Sequence, residues 1–301
     1  MTLDFIENIA EDIFFIEGQR EGKYPYSHSL LIGNTLIDTG ISSGYLRKLK
    51  RKYPIENVIL SHWHEDHISG NRLMKKVQFL AHKEDIPVIE NVKKMYDYYY
   101  VNDLPEQTEL FDMILQGLRL KDTKVNQIIS DNQVIDFDNG FNLKVIHTPG
   151  HSAGHCCFIE LKTGIAFFGD IDLSSFGPWY AAKDSSLVQF RNSIKKIQEQ
   201  DINIAITSHK GIVSGKENIQ RSLEKYLEKL NNREEQIISQ LANSQNGLNL
   251  ADFTGQKIIY KRYSEYEVYE RMAEKVMIEQ HLEKLLSEGI IKKEEDKYIL
   301  P

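Results

Sequence analysis

Short runs of apolar residues, separated by glycine, asparagine and charged residues, dominate the chain up to about residue 210. Runs of this length between turn formers are typical of buried strands. They occupy residues 13–16, 29–32, 35–37, 57–60, 133–137, 141–147, 155–161, 164–168 and 202–206. Gly33 and Asn34 separate two of these runs, and the pair predicts a tight hairpin turn.

Apolar residues with helical spacing lie between the predicted strands. Residues 45–52 predict a helix that ends before Pro54, and residues 184–199 predict another. Residues 84–129, which are rich in tyrosine, leucine and charge, predict a mostly helical insertion. Strands that alternate with helices indicate a layered α/β domain, which we expect over residues 1–230.

The last part of the chain has a different character, because long charged helices replace the short strands. Helices are predicted over residues 218–231 and, after a short break, over 234–242. A further helix is predicted over 266–286, and two short strands follow it. This order predicts a small winged-helix-like α-helical domain over residues 231–301.

Composition narrows the class of protein. The 301 residues are 41% hydrophobic and 27% charged, which is typical of globular chains and excludes a collagen or a disordered segment. The net charge of −7 gives nucleic acid no overall attraction. Cys156 and Cys157 are adjacent and cannot join distant segments, so we expect a cytoplasmic protein. The acidic start and the lack of a long apolar run predict neither a signal peptide nor a membrane helix.

The strongest chemical signal is the sequence His-Trp-His-Glu-Asp-His at residues 62–67, directly after the apolar run 57–60. Imidazole and carboxylate groups suit zinc, iron or manganese. In a short loop, the first and third residues of this motif can face one ion. The fifth and sixth can then turn toward a second ion, so the motif predicts a metal centre.

Three further candidates follow apolar runs later in the chain. His151, Asp170 and His209 each come just after a predicted strand and lie beside glycine or another turn former. In α/β folds, the loops at strand ends are where functional sites assemble. We therefore group these three residues with the motif at 62–67.

The complete set of candidates resembles the five ordered motifs of the metallo-β-lactamase superfamily: Asp38, His62, His64, Asp66, His67, His151, Asp170 and His209. The resemblance covers about residues 10–212 and implies an αββα sandwich with a two-metal site at one edge of the sheets. It implies that His62, His64 and His151 hold one metal. Asp66, His67 and His209 would hold the second. Asp170 would bridge the two, and Asp38 would orient a ligand.

The implied cofactors are two divalent metal ions, zinc first, with iron or manganese as alternatives. They would provide a bridging hydroxide near neutral pH. Asp170 would fix the metals and orient the water, while Asp66 or His209 would assist proton transfer to the leaving group. Several true β-lactamases of this superfamily carry cysteine at the Asp170 position, so antibiotic hydrolysis is disfavoured. The pattern is more similar to the glyoxalase II, lactonase and ribonuclease branches.

The C-terminal segment carries a narrower resemblance. Residues 226–238 and 273–291 are similar to the β-lactamase-like protein 2 family, which includes a single-stranded-RNA endonuclease. Residues 231–301 hold 10 lysines and arginines against 13 acidic residues, which makes a poor surface for phosphates. We expect this segment to form a dimer contact or a rim of the active site. All candidate ligands precede residue 210, so its deletion should affect assembly or substrate range more than metal content.

Candidate pocket residues follow from sequence proximity to the motifs. Trp179 and Tyr180 come shortly after Asp170. Tyr98 belongs to a group of four tyrosines, Tyr96, Tyr98, Tyr99 and Tyr100, which is a candidate lid over the site. We expect a hydrolase of a small-molecule acyl substrate, namely an ester, thioester or lactone, with no membrane partner and with a homodimer left open. The alternatives are a metal-dependent single-stranded-RNA endonuclease and a mononuclear iron oxidoreductase similar to persulfide dioxygenases. A winged-helix regulator is disfavoured, because a sensor need not keep every ligand.

Overall fold

The computed structural model describes residues 3–103, 108–136, 140–264 and 266–301. Over these residues, the first sheet has seven strands, which are neighbours in chain order. They are β1 (Ile6–Ala10), β2 (Ile13–Ile16), β3 (Ser29–Ile32), β4 (Thr35–Ile37), β5 (Asn57–Ile59), β6 (Gln78–His82) and β7 (Gln127–Ile129). Strands β1 to β4 pair antiparallel, and β4 to β7 pair parallel. The hairpin at Gly33 and Asn34 is confirmed, because Ile32 pairs with Thr35.

The second sheet has six strands within the same ranges. They are β8 (Val134–Asp136), β9 (Asn142–His147), β10 (Cys156–Glu160), β11 (Ile165–Phe167), β12 (Ile204–Thr207) and β13 (Gly211–Ser214). The order across the sheet is β13-β12-β11-β10-β9-β8. Strands β11 and β12 pair parallel, and the other neighbours pair antiparallel. Consequently β9, β11 and β12 all end at the same edge.

Helices lie before, between and after these strands. They are α1 (Ser43–Lys52), α2 (Glu65–Ile68), α3 (Ile86–Ile89), α4 (Met95–Tyr98), α5 (Thr108–Leu118), α6 (Leu187–Gln198), α7 (Lys216–Ala242), α8 (Leu250–Phe253) and α9 (Glu267–Ser287). A final antiparallel pair consists of β14 (Lys292–Glu294) and β15 (Lys297–Ile299). No helix among the described residues has both the length and the apolar character needed to cross a bilayer.

Alternating side chains divide the core into layers, and this confirms the predicted αββα sandwich. In β2, Ile13 and Phe15 face the layer between the sheets, while Ile16 joins the layer that includes residues of α1. In β10, Cys156 faces the layer between the sheets, and Cys157 faces the layer shared with α6, α7 and α9. Both thiols are free and buried.

Two predicted elements differ from those observed. The helical insertion predicted over 84–129 extends too far, because residues 127–129 form the strand β7, in which Ile129 is buried. The break predicted before residue 234 is wrong, because α7 continues through it. Polar Asn231 and Asn232 suggested an interruption, but the buried face of α7 is continuous. Residues 104–107 of the insertion and residue 137 of the strand at 133–137 lie outside the described residues.

The C-terminal helices pack on the second sheet. Leu230 and Ile237 of α7 share a core cluster with Met277 and Leu282 of α9 and with residues of β10. Helix α7 runs across residue 230, where the sequence predicts a domain boundary. The two-domain division and the winged-helix character of residues 231–301 stay predictions.

Candidate metal centre

Strand ends bring the candidate ligands to one edge of the sandwich. In the first sheet, β5 leads into the motif at residues 62–67, whose second half forms the single turn of α2. In the second sheet, His151 follows β9, Asp170 follows β11 and His209 follows β12. Because those three strands end at the same edge, residues far apart in sequence converge there.

The first cluster, which we call group one, contains His62, His64, His151 and Asp170. Each offers one ligand atom, and these atoms all lie within 4.8 Å of one another. His151 Nε2 is 3.1 Å from Asp170 Oδ2, and His62 Nε2 is 4.0 Å from the same oxygen. Three imidazoles therefore surround one carboxylate oxygen.

The second cluster, group two, contains Asp66, His67 and His209, whose ligand atoms also lie within 4.8 Å of one another. His67 Nε2 is 3.1 Å and His209 Nε2 is 3.5 Å from Asp170 Oδ1. The carboxylate of Asp170 thus directs one oxygen toward each group, which is the position expected of a bridging ligand.

Hydrogen bonds at Nδ1 orient the histidines of group one. His62 Nδ1 lies 2.9 Å from the hydroxyl of Ser61. His151 Nδ1 donates to the backbone carbonyl of Trp179 at 2.9 Å. Fixing Nδ1 leaves Nε2 directed toward the cluster, as is usual where an outer partner orients a metal ligand.

Group two is oriented by the N-terminal part of the chain. His67 Nδ1 donates to Asp38 Oδ2 at 2.7 Å, and His209 Nδ1 donates to the carbonyl of Gly22 at 2.7 Å. Asp38 is fully buried and also accepts hydrogen bonds from the backbone N–H and the hydroxyl of Ser61. Asp38 therefore contacts a candidate ligand, as its sequence position suggests.

The buried polar atoms at the centre fit the donor set of a cation. Within the part of the chain that the structure describes, Nε2 of His62, His64, His67 and His151 and Oδ1 of Asp170 are buried without a hydrogen-bond partner. Buried polar atoms are nearly always satisfied, so five such atoms in one place need an explanation. Divalent metal ions at the two groups, bound by imidazole nitrogen and carboxylate oxygen, would satisfy all of them.

Protonation states agree with this donor set in group one and at Asp170. Burial lowers the pKa of His62 and of His64 well below the usual value, so both rings are neutral and offer a lone pair. Burial opposes ionisation of Asp170, but His67, His209 and His151 together hold the pKa of its carboxyl well below its usual range. A neutral imidazole and an ionised carboxylate are the forms that bind metal. In group two, burial opposes protonation, but Asp170 and Asp66 raise the pKa of His67 well above its usual value and that of His209 to about 9, so a metal binding there would displace a proton from each ring.

A cavity of about 610 Å³ opens beside the ligands. Helix α5 contributes Leu110, Phe111 and Ile114 to its walls. Aromatic side chains from four further parts of the chain also line it: Tyr24, Tyr99, Trp179, Tyr260, Tyr266 and Tyr269. Its size falls within the range of small-molecule sites.

One of the three predicted pocket residues lines this cavity, and the other two do not. Trp179 lines it, whereas Tyr180 and Tyr98 are absent from the described lining. Tyr180 is fully buried and its hydroxyl pairs with His281 Nε2 at 2.7 Å. Tyr98 lies edge-on to the ring of Trp63.

Sequence reasoning missed much of the cavity wall. The hydroxyls of Tyr24 and Tyr99 both donate to the buried carboxylate of Glu65, at 3.0 and 2.6 Å. Tyr99 belongs to the tyrosine group already noted as a candidate lid. No local sequence pattern marks the wall residues at 260–270, because tertiary packing of the C-terminal region places them beside the site.

Comparison with known proteins agrees with the geometry. Residues 25–209 match the sequence pattern of the metallo-beta-lactamase superfamily. The chain belongs to this superfamily. The match ends at His209, so it spans all seven candidate ligands of this superfamily member.

Curated relatives include hydrolases. The chain is 24% identical over 216 residues to an atrochrysone carboxyl ACP thioesterase of Aspergillus fumigatus, covering 70% of this chain and 56% of that protein. It is 32% identical over 114 residues to the hydroxyacylglutathione hydrolase GloC of Haemophilus influenzae, covering 38% of this chain and 48% of that protein. The chain spans about half the length of these relatives.

Among solved structures, the fold is similar to that of a beta-lactamase domain protein from Burkholderia ambifaria. The TM-score is 0.76 at 15% sequence identity, and the likeness covers 98% of this chain and 94% of that one. At this identity the similarity concerns the fold alone. It nevertheless includes the C-terminal region, where the sequence pattern of the superfamily no longer matches.

Proposed function

We propose that this chain is a metal-dependent hydrolase that cleaves a small ester, thioester or lactone with the help of two divalent ions. One observation carries the proposal: seven metal-type ligands meet at one edge of the sandwich, and five of them line a cavity whose walls are mostly apolar and aromatic surface. Relatives named as a thioesterase and as a hydroxyacylglutathione hydrolase support an acyl substrate.

Group one would hold one ion and group two the other, with Asp170 shared between them. Zinc is our first choice for these ions, with iron or manganese as alternatives, because imidazole and carboxylate suit all three. When bound, such ions lower the pKa of water toward neutrality and offset negative charge on the attacked carbonyl oxygen.

The protein's own groups position the reaction. Asp170, between the groups, orients the attacking water. His209 Nε2 lies 3.4 Å from Asp66 Oδ2, so both would face the same ion. A carboxylate keeps a second oxygen when one oxygen binds a metal, so Asp66 can pass a proton to the leaving group. The Nδ1 bonds of His62, His67, His151 and His209 keep the Nε2 atoms of these four rings directed inward.

The cavity favours an apolar or aromatic acyl group. The side chains from α5 and the tyrosines from residues 260–269 offer a large apolar surface. Glu65, Asp172 and Glu270 also line the cavity, whereas Lys23 is its one lysine or arginine among the described residues. An anionic polymer such as RNA would meet repulsion there.

The reaction class is tested by turnover in one metal-loaded preparation. We expect hydrolysis of p-nitrophenyl esters, lactones or thioesters with weak salt dependence. A nuclease would instead show a logarithmic salt slope of about −0.7 per neutralised phosphate on single strands. Steeply salt-dependent RNA cleavage with negligible acyl turnover would replace this proposal with the endonuclease alternative.

The acyl pocket is tested by placing a charge on its wall. Ile114→Glu should raise KM for a long-chain acyl ester about tenfold or more, because the carboxylate must be desolvated beside the substrate. Met113→Glu is the matched control, since Met113 comes directly before Ile114 in α5 and is 65% exposed. Equal kinetics in the two variants would place the acyl group elsewhere.

Metal analysis separates the hydrolase from the iron oxidoreductase. Protein purified without added metal should contain two equivalents of zinc or of another divalent ion. A single equivalent of iron, with oxygen consumption, would favour the oxidoreductase.

A further inference from the structure

The loop at residues 176–180 lies between the candidate metal centre and the C-terminal helices. On one side, the carbonyl of Trp179 accepts the hydrogen bond from Nδ1 of His151. On the other side, four C-terminal side chains hold the loop. The orientation of one candidate ligand is therefore connected to residues after position 230.

Arg233 makes the strongest of these contacts. Its Nη1 donates to the carbonyl of Pro178 at 2.6 Å and to the hydroxyl of Tyr180 at 3.0 Å. Its Nη2 donates to the carbonyl of Phe176 at 2.8 Å. The fork of the guanidinium thus holds both sides of Trp179, including the peptide unit that precedes it.

Other C-terminal residues complete the support. Gln280 Nε2 donates to the carbonyl of Tyr180 at 3.0 Å, and His281 Nε2 lies 2.7 Å from the Tyr180 hydroxyl. Trp179 Nε1 donates to the hydroxyl of Tyr260 at 3.3 Å. Residues on both sides of the Trp179 carbonyl are thereby fixed from α7 and α9.

A buried arginine at this place is costly. The residue is 3% exposed, and none of its hydrogen bonds among the described residues goes to a carboxylate. Desolvation of a guanidinium is unfavourable unless its donors are satisfied, and carbonyl oxygens satisfy them here. Lysine cannot replace the fork, because an ammonium does not present two fixed parallel donors.

We propose that Arg233 is a positioning residue for the metal centre: it fixes the loop at 176–180, and the Trp179 carbonyl then orients His151 as a ligand of group one. This inference rests on the proposed metal site. It predicts that one C-terminal side chain controls the affinity of one ion, although it touches neither ion nor substrate.

The test is a titration of the metal-free full chain with Co²⁺, whose visible absorption reports ligand geometry. Arg233→Gln should weaken binding of one equivalent about 10–100-fold, the usual effect of losing an outer partner. The other equivalent should keep its affinity. His151→Ala is the reference, and it should weaken the same equivalent and alter the same absorption band. Arg221→Gln, at an exposed position of α7, is the matched control.

Arg233→Lys is the second variant, to be used if Arg233→Gln does not fold. It keeps the positive charge and most of the side-chain volume. We expect it to lie between wild type and Arg233→Gln in affinity and in its Co²⁺ spectrum. A folded Arg233 variant that binds both equivalents as wild type does would overturn the positioning role. If wild type binds no divalent ion, the proposed function fails instead, so the two failures are distinguishable.

Discussion

Groups one and two use similar ligands, but different parts of the chain orient them. In group two, Asp38 and the carbonyl of Gly22 hold His67 and His209 from the N-terminal part of the protein. In group one, His151 is held by Trp179, whose loop is fixed by Arg233 and α9. The difference teaches that the orientation of neighbouring candidate ligands can depend on opposite ends of a sequence.

Substitution of Asp170 should have the largest effect on activity, because its carboxylate faces both groups. Asp170→Asn should weaken both ions and lower kcat/KM about 10³-fold, or about 4 kcal/mol in transition-state stabilisation. The reason is that Asp170 approaches histidines of both groups within 3.5 Å. Metal content and ester turnover provide the measurements.

Asp201→Asn is the control for this substitution, since Asp201 is exposed and its carboxylate pairs with Lys216 rather than with any candidate ligand. Loss of only one ion in Asp170→Asn would show that the carboxylate belongs to a single group. The comparison would then concern two independent sites rather than one shared centre.

Asp38→Asn should act mainly on group two. The amide that replaces Oδ2 cannot accept from His67 Nδ1, so the ring is driven toward the tautomer that protonates Nε2. We expect the affinity of one Co²⁺ equivalent to fall about 10–100-fold. Ser61 also bonds to Asp38, so a smaller change at His62 should accompany it.

This substitution and Arg233→Gln form a matched pair. Each should weaken a different equivalent, as judged by Co²⁺ titration against Asp12→Asn, a surface control. If both variants weaken the same equivalent, the separation of the two supports is wrong.

Acid should weaken the C-terminal support, and this is the smallest expected effect. Burial opposes ionisation of Glu234, but His281 and Arg191 lower its pKa from 4.5 to about 2. A folded pKa below the unfolded value gives stability that is present above pH 4.5 and is lost as the pH falls toward 2. Glu234→Gln should therefore lower the thermal midpoint about 2–4 °C at pH 7.

The difference from wild type should shrink between pH 4.5 and 2, as melting curves across that range would show. Glu234 contacts Lys284 of α9 at 3.1 Å and Arg191 of α6 at 2.8 Å, so these bonds join the helices behind the loop at 176–180. A gap that stays constant with pH would mean that the carboxylate is not ionised in the folded chain.

The ligands were predictable because their signal is local. Each follows an apolar run, and a residue directly after a buried strand must lie at the sheet edge. The fold was predictable for the same reason, since strands and helices alternate in recognisable periods.

The cavity wall and the loop support were not predictable from local pattern. Arg233 and Pro178 are 55 residues apart, and Tyr24 and Glu65 are 41 apart, so no short motif contains either pair. The continuity of α7 was missed because Asn231 and Asn232 are weak helix formers, while the packing of its buried face decided the outcome.

The support from α9 also sets an order of events during synthesis. A ribosome adds the last candidate ligand of group two at His209, Arg233 follows 24 residues later, and Gln280 and His281 follow about 70 residues later. At roughly 5–20 residues per second, the longer interval lasts several seconds. During it, the nascent chain would carry every candidate ligand while the loop at 176–180 still lacked its bonds to α9.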